Sequence, residues 1–260
     1  MIPAIVIPAV SRFDMLEANL AKIDHPVRRV VIVDNSLTGY TYRPPAGSPI
    51  ERVDHIRPIL GIGVTGGFNA GIMQTPEAPW WLLSSTDIGY GPGDLAEIAA
   101  LMDMDDGPCV VTGSRSDERL LRGAYMAVNR AAVELVGLYD EWAFWPCYFE
   151  DDDYVRRCGL GGVEWVEFDG GIAHDRSITI RSDGAAARSN QRTYPECARR
   201  YAEKWGGPPG SESFTTPYGL PVPLSFTRPD LAGRAERIWE HDARTTAPGT
   251  TMLAPWGETR

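Results

Sequence analysis

Short apolar runs alternate along this chain with segments whose apolar residues recur at helical spacing, which predicts strands followed by helices. The predicted strands are Ala4–Pro8, Arg29–Val33, Asp54–Ile59, Trp80–Ser84 and Cys109–Gly113. The predicted helices are Phe13–Ile23, Gly66–Thr75, Leu95–Met102, Arg130–Val136, Tyr154–Cys158 and Asn190–Trp205. Nearly continuous apolar strands are typical of parallel sheets that are buried on both faces. The alternation therefore predicts an α/β fold, a three-layer sandwich with a mostly parallel central sheet.

Carboxylates follow two of these strands. Asp34 comes directly after Arg29–Val33, and Asp87 lies three residues beyond Trp80–Ser84. Ligands of parallel α/β sheets bind beyond the carboxyl ends of the strands, where one acid can contact a base or ribose and another can hold a metal. Asp also ends strands and begins turns, so a turn role is the alternative for each residue taken alone. Finding both at equivalent positions favours a nucleotide site.

A glycine-rich segment, Gly61–Gly71, lies between these two acids. Glycines let the backbone approach a ligand closely, and successive N–H groups can cradle a phosphate. A dinucleotide-binding fingerprint is not indicated, because the segment follows no strong first strand and comes late in the chain. On its own the segment is equally consistent with a flexible loop.

The segment with the most candidate functional residues is the aromatic block Phe144–Phe149, which is followed by four acids, Glu150–Asp153. Acids in a first helical turn are favoured by the helix dipole, so capping is the simpler interpretation. The aromatic block, however, is expected to restrict water around at least one acid, and such a carboxylate can act as a general base toward a hydroxyl. His174 follows downstream, and a surface histidine is the alternative to a ligand role.

Five motifs resemble family 2 glycosyltransferases, in particular the bacterial rhamnosyltransferase-like branch. They are VIVDNS, GGFNAG, LLSSTDI, YFEDDDYVRRCG and AHDRSITIR, in the order of that family and across roughly residues 4–181. The resemblance implies a GT-A fold and transfer of a sugar from a nucleotide-diphosphate sugar to a hydroxyl acceptor, with inversion. A sugar, a lipid-linked group or a protein hydroxyl could be the acceptor.

The resemblance also implies roles for individual residues. Asp151 would be the catalytic base, and Asp87 with His174 would hold Mn²⁺ or Mg²⁺. The implied donor-binding residues are Asp34, Asn35, Gly67, Asn69, Ser85, Thr86 and Arg181. The implied acceptor side includes Trp145, Glu150 and Asp153. One departure from the family pattern is that Ser85 and Thr86 precede Asp87, which leaves a single carboxylate in the metal motif.

Composition narrows the class of protein further. The net charge of −10 argues against a nucleic-acid partner, since phosphate backbones need a basic face. Four scattered cysteines fit reduced thiols in a cytoplasm better than a disulfide framework or a zinc site. The apolar N-terminus is interrupted by Pro3 and Pro8 and follows no basic run, so it is interpreted as a strand and not as a signal peptide. No apolar stretch reaches the length of a membrane span.

The sequence predicts a GT-A domain over residues 1–181, with a nucleotide half of about 1–88 and an acceptor half of about 89–181. Residues 182–260 are predicted to form a helical, Pro-rich extension, with one amphipathic helix at Leu231–His241. This extension would serve either the acceptor side or a homo-oligomer contact.

Two other classes stay open. A nucleotidyltransferase would need a basic glycine-rich loop near the N-terminus, where Pro8–Asp14 offers only Arg12. A catalytically silent sugar-binding module is favoured by the single carboxylate in the metal motif, whereas the presence of Asp151 and His174 argues against it.

Overall fold

A computed structural model describes residues 1–36, 38–104, 107–114, 123–174 and 184–220. In chain order the elements are β1 (Ile5–Ala9), α1 (Phe13–Leu20), β2 (Val27–Asp34), β3 (Ile50–Ile56), α2 (Gly63–Gln74), β4 (Trp80–Ser84), β5 (Ile88–Gly89), α3 (Asp94–Met102), β6 (Cys109–Thr112), β7 (Tyr125–Asn129), α4 (Arg130–Val136), α5 (Glu150–Gly161), β8 (Glu164–Glu167), β9 (Ala173–His174) and α6 (Gly184–Trp205). Within these ranges no helix is long and apolar enough to span a membrane.

The main sheet has seven strands in the order β3-β2-β1-β4-β7-β6-β8. Strand β7 runs antiparallel to both of its neighbours, β4 and β6, and all other pairs in this sheet are parallel. Strands β5 and β9 form a separate antiparallel pair. The prediction of a mostly parallel central sheet is confirmed.

Two apolar cores cover the two faces of this sheet. In β1, Ile5 and Ile7 point into one core, while Ala4 before the strand and Val6 within it belong to the other. The first core takes apolar side chains from α1 and α3, and the second takes them from α2, α4 and α5. Helix α2 lies directly on β1, because a Cβ at Gly71 would come within 2.1 Å of Val6 Cγ1. Helices on both faces of the sheet make the predicted three-layer α/β sandwich.

Three strands of the main sheet differ from the sequence prediction. Strand β3 begins four residues before the predicted Asp54, because it is an edge strand with polar, partly exposed positions that hide it from a search for apolar runs. Strand β7 was not predicted; its Ala and Met residues favour helices, and it runs directly into α4. Strand β8, a short strand at the opposite edge of the sheet from β3, was not predicted from the sequence.

Helices α5 and α6 depart furthest from their predicted bounds. Helix α5 begins at Glu150 and not at Tyr154, so the four acids form its first turn. Helix α6 begins at Gly184 and carries Pro195 in its interior. Its buried face packs on the aromatic block in a third apolar cluster, made of Ala143, Phe144, Cys197, Tyr201 and Trp205. The first helix of the predicted C-terminal extension therefore packs against the preceding domain. The predicted helix Leu231–His241 lies outside the described residues.

Candidate active site

The carboxyl ends of β2, β1 and β4 lie side by side at one edge of the sheet. Asp34 pairs with Ala9 at the ends of β2 and β1, and the backbone N–H of Asn35 donates to the carbonyl of Ala9 at 2.7 Å. Leu83 of β4 pairs with Val6 on the other side of β1. Because these strands are parallel, the segments that carry Asp34 and Asp87 flank the end of β1, as the sequence analysis expects of a site at this edge.

Asp34 is 1% exposed, and its carboxylate closes the loop that follows β2. One oxygen accepts hydrogen bonds from the backbone N–H and the hydroxyl of Ser36, and the other accepts from the N–H of Tyr40 at 2.8 Å. The Tyr40 ring stacks on Phe13 with 4.0 Å between the ring centroids. The structure thus gives Asp34 the turn role, and its contact with a donor stays a prediction.

The asparagines of the predicted donor pocket make contacts within the protein. Asn35 accepts from the N–H of Ile62 at 2.9 Å and donates to the carbonyl of Gly63 at 3.0 Å, so it fixes the start of α2 beside β2. Asn69 is 3% exposed and exchanges hydrogen bonds with the backbone of Tyr139 at 2.9 and 3.0 Å. Its side-chain amide also donates to Glu141 at 3.0 Å. Both side chains therefore position the loops around the site.

Gly67 lies where α2 meets the end of β1. A Cβ at this position would come within 2.8 Å of Pro8 Cβ, so only glycine fits. This supplies a packing reason for the glycine in addition to the predicted contact with a donor.

Asp87 and His174 are brought together although they are far apart in the sequence. Strands β5 and β9 pair Ile88 with His174, and this places His174 Nε2 3.6 Å from Asp87 Oδ2. The other oxygen of Asp87 accepts from the Ser85 hydroxyl at 2.7 Å. Both side chains are largely buried, with 7% of Asp87 and 14% of His174 exposed. The two residues predicted as metal ligands are therefore adjacent at the edge of the sheet.

Few side chains that could ligate a metal surround the Asp87–His174 pair. Among the described residues, no group of three or more His, Cys, Asp or Glu side chains could hold a metal ion. Thr86, also predicted to contact a donor, is 7% exposed, and its carbonyl accepts from the side chain of Asn19 at 3.0 Å. Arg181, the predicted cationic donor contact, lies outside the described residues.

Asp151 is connected to the Asp87 segment through the start of β7. The backbone N–H of Ser85 donates to the carbonyl of Ala124 at 3.1 Å. Next to Ala124, Gly123 has a φ of +80°, and a Cβ at this residue would lie 2.3 Å from Asp151 Oδ2. The Asp151 carboxylate thus covers Gly123, one residue from the contact to Ser85. This places the predicted base next to Gly123, and the segment that carries Asp87 next to Ala124.

The other acids of the first turn of α5 have different surroundings. Burial, together with the neighbouring charge of Asp151, raises the pKa of Glu150 well above its usual value. Glu150 Oε2 is buried and has no hydrogen-bond partner among the described residues. Asp153 is fully buried; burial alone would raise its pKa, but the charges of Arg157 and Lys204 hold the pKa below its usual value. The carboxylate of Asp153 is directed into the protein, away from solvent.

The aromatic block forms the wall between α2 and α5. Trp145 is 47% exposed, and its indole N–H donates to the carbonyl of Gly61 at 3.2 Å. Tyr148 and Phe149 have φ values of +80° and +68°, a region that bulky residues avoid. Such strained positions persist only where surrounding contacts hold them, and they cluster at functional sites. The exposed Trp145 ring and this strained turn therefore border the acids of α5.

No known protein family and no curated protein sequence matches this chain. Among solved structures, the mannosyltransferase PcManGT from Pyrobaculum calidifontis, in complex with GDP-Man and Mn²⁺, is similar with a TM-score of 0.51 and 13% identity, over 94% of this chain and 80% of that chain. S. aureus TarS 1-349 in complex with UDP-GlcNAc gives 0.47 and 16% identity, over 78% and 73% of the two chains. Glucosyl-3-phosphoglycerate synthase from Mycobacterium tuberculosis, in complex with Mn²⁺, UDP and phosphoglyceric acid, gives 0.40 and 13% identity, over 75% and 78%.

The chain has the GT-A fold. The likeness to the mannosyltransferase, at 13% identity and a TM-score of 0.51 over 94% of this chain, establishes the fold alone. The fold predicted from the sequence is confirmed, whereas the roles of individual residues stay predictions.

Two residues with polar contacts inside the protein were not identified from the sequence. Asp169, just after β8, accepts from the backbone and hydroxyl of Ser114 at 2.7 and 2.6 Å. Lys204 is 1% exposed and contacts Asp140 and Asp153. The sequence does indicate that Lys204 is buried, because it lies on the same helical face as Tyr201. A buried ammonium group in turn needs a negatively charged partner.

Proposed function

We propose that this protein transfers a sugar from a nucleotide-diphosphate sugar to a hydroxyl acceptor, with inversion at the anomeric carbon. One observation carries the proposal: in a GT-A fold, Asp151 lies against Gly123, and the neighbouring Ala124 accepts a hydrogen bond from Ser85, two residues before the Asp87 that pairs with His174. The sequence motifs that resemble the rhamnosyltransferase-like branch of family 2 support a hexosyltransferase.

The residues present fit a divalent cation that the protein holds weakly. A separation of 3.6 Å between Asp87 Oδ2 and His174 Nε2 can be spanned by one ion with bonds of about 2.1 Å. Two protein ligands leave several coordination positions for the donor diphosphate and water, as Mg²⁺ and Mn²⁺ commonly require. When bound, the ion would neutralise the negative charge that develops on the departing diphosphate.

Asp34 is proposed to contact the base or ribose of the donor. Each of its oxygens accepts from the loop, one from Ser36 and the other from Tyr40. A carboxylate offers about four lone-pair sites, so acceptor capacity remains for one further N–H or hydroxyl. Because the loop contacts already fix the orientation of Asp34, it can select a donor group without paying further side-chain entropy.

Asp151 is proposed as the base that takes the proton of the acceptor hydroxyl. Burial and the charge of Asp151 raise the pKa of Glu150, which favours the protonated form of Glu150 beside a charged Asp151. The carboxylate of Asp151 lies next to Gly123. The exposed ring of Trp145 is proposed to line the acceptor side, in keeping with its place at the end of the aromatic block.

A panel of donors tests the proposal. The full chain is incubated with Mn²⁺ and, in turn, GDP-mannose, UDP-GlcNAc, UDP-glucose and a nucleotide-diphosphate rhamnose, each with a mixture of sugar acceptors. We expect one donor to release free nucleoside diphosphate and to yield a product one sugar heavier by mass spectrometry. Release of a sugar 1-phosphate in place of the nucleoside diphosphate would instead indicate nucleotidyl transfer.

A catalytically silent donor-binding module is the second candidate. It is supported by the absence of a third His, Cys, Asp or Glu ligand near Asp87 and His174 among the described residues. Tight donor binding by calorimetry with no product from any donor and acceptor pair would favour this module over the transferase.

A further inference from the structure

Helix α6 is joined to α5 by a buried cluster of charges that the proposed reaction does not use. Lys204 Nζ lies 2.8 Å from Asp140 Oδ2 and 2.7 Å from Asp153 Oδ1. Asp153 also accepts from Arg157 Nε at 2.9 Å and from the indole N–H of Trp205 at 2.9 Å. Lys204, Asp140 and Asp153 are each at most 4% exposed. Two cations and two carboxylates thus neutralise one another inside the protein.

Such a cluster is weak evidence for stability. Removing charges from water costs several kcal/mol per ion, and apolar residues of similar volume are often no worse for folding. A cluster of this kind does, however, specify geometry, because each charge must keep its partners. Here it connects the segment after α4, through Asp140, with the first turn of α5 and the last turn of α6.

The cluster fixes the rotation of α5. Successive helix residues are about 100° apart, so Asp153 and Asp151 point in nearly opposite directions. Asp153 points inward to Lys204, and Asp151 points outward to Gly123. The preceding residues, Tyr148 and Phe149, hold an unfavourable backbone conformation that does not by itself define the direction of the helix. The inward contacts of Asp153, together with the buried Tyr154 and Cys158 of the same helix, therefore hold Asp151 toward Gly123.

We propose that Lys204, with Trp205, is a positioning residue for Asp151: through Asp153 it holds the first turn of α5 in the orientation that presents the base to the acceptor. This inference rests on the proposed function and adds to it that helix α6 belongs to the catalytic unit. Lys204 itself touches neither donor nor acceptor.

Lys204→Met tests the inference because methionine keeps most of the apolar stem beside Phe144 and Trp205, whose ring centroids lie 5.5 and 5.6 Å from Nζ. We expect kcat for transfer to fall about 10- to 100-fold, the size of loss that a misplaced group causes. Donor affinity in Mn²⁺ should stay unchanged, because Asp34 and Asp87 are held by other contacts. The matched control is Lys22→Met, the same change at an exposed lysine.

A double-mutant cycle separates positioning from general support of the fold. In an Asp151→Asn background, Lys204→Met should cause little further loss of transfer, because the group that it positions has been disabled. Two losses that multiply would overturn the inference and leave Lys204 as a structural residue. An Asp151→Asn variant with parental activity would instead contradict the proposed base, so the two failures are distinguishable.

Trp205→Phe provides a second variant in case Lys204→Met does not fold. It removes the hydrogen bond to Asp153 Oδ1 and leaves the ion pairs in place. We expect a loss of a few-fold in kcat that again disappears in the Asp151→Asn background, at unchanged donor affinity. A change in donor affinity with no change in kcat would count against the inference.

Discussion

Carboxylates occur in two regions of this molecule and are held in two different ways. At the edge of the sheet, Asp34 accepts from residues two and six positions along the chain, and Asp87 accepts from Ser85 two positions before it. In the first turn of α5, Asp153 accepts from Trp205, 52 positions away. Local hydrogen bonds hold Asp34 and Asp87 to their own segments of the chain, whereas Lys204 and Trp205 tie Asp153 to a distant helix. The orientation of Asp153 thus depends on the docking of α6, which the loop contacts of Asp34 do not require.

Asp151→Asn tests this comparison with the largest expected effect. It keeps the shape of the side chain and removes the base, so transfer should fall about 10²- to 10⁴-fold. Donor affinity should hardly change, since the carboxylate covers Gly123 and not the Asp34 loop. Steady-state rates and donor calorimetry measure both quantities. Asp152→Asn is the matched control and should be much milder; if it is the inactive variant, the base is one residue later.

Asp87→Ala should remove the dependence of donor binding on Mn²⁺. The variant loses the carboxylate of the Asp87–His174 pair, and donor affinity in Mn²⁺ should fall to the value measured in EDTA. Titration calorimetry in the two conditions measures this. Glu97→Ala, which removes an exposed carboxylate on α3, is the control and should leave this dependence unchanged. Parental affinity of Asp87→Ala in Mn²⁺ would remove Asp87 from the metal site.

Asp34→Ala should weaken nucleoside diphosphate binding about tenfold even without metal, the effect of losing one hydrogen bond to a charged group. The loop from Ser36 to Tyr40 also loses its acceptor, so a thermal melt must accompany the calorimetry. Asp34→Asn keeps part of the turn and separates the two effects. If all three proteins bind nucleoside diphosphate equally, Asp34 serves only the turn.

Glu150→Gln should have the smallest effect, visible only in the pH dependence of stability. The raised pKa means that native Glu150 keeps a proton that the unfolded chain has already lost. Stability is therefore full below the ordinary pKa of glutamate and falls as pH rises toward the raised value. In urea denaturation from about pH 4 to about pH 9, the free energy of unfolding of the variant should increase relative to that of the parent as pH rises. Glu97→Gln, at an exposed position in the first turn of α3, should show no such increase.

The same difference between local and distant contacts explains what the sequence could predict. The strand ends that carry Asp34 and Asp87 follow apolar runs, so their shared edge could be inferred from strand periodicity alone. The proximity of His174 to Asp87 could not, because it depends on the pairing of two-residue strands that carry no periodicity.

The different directions and surroundings of Glu150, Asp151 and Asp153 could not be predicted from the sequence either. A run of four acids gives no sign of which member points inward until the partner on α6 is located. Likewise, Asn69 resembled a ligand contact by motif, but its hydrogen bonds join α2 to the backbone of Tyr139. In both cases the deciding contact comes from a residue more than fifty positions away.

The reversed direction of β7 has a consequence for how this scaffold can be altered. Because β7 is antiparallel to β6, Thr112 at the end of β6 and Tyr125 at the start of β7 both lie at the edge that carries Asp87. The chain between them leaves and re-enters the sheet on that one side. Lengthening this connection would place new residues in sequence next to Gly123, which Asp151 covers, and would leave the strand order intact.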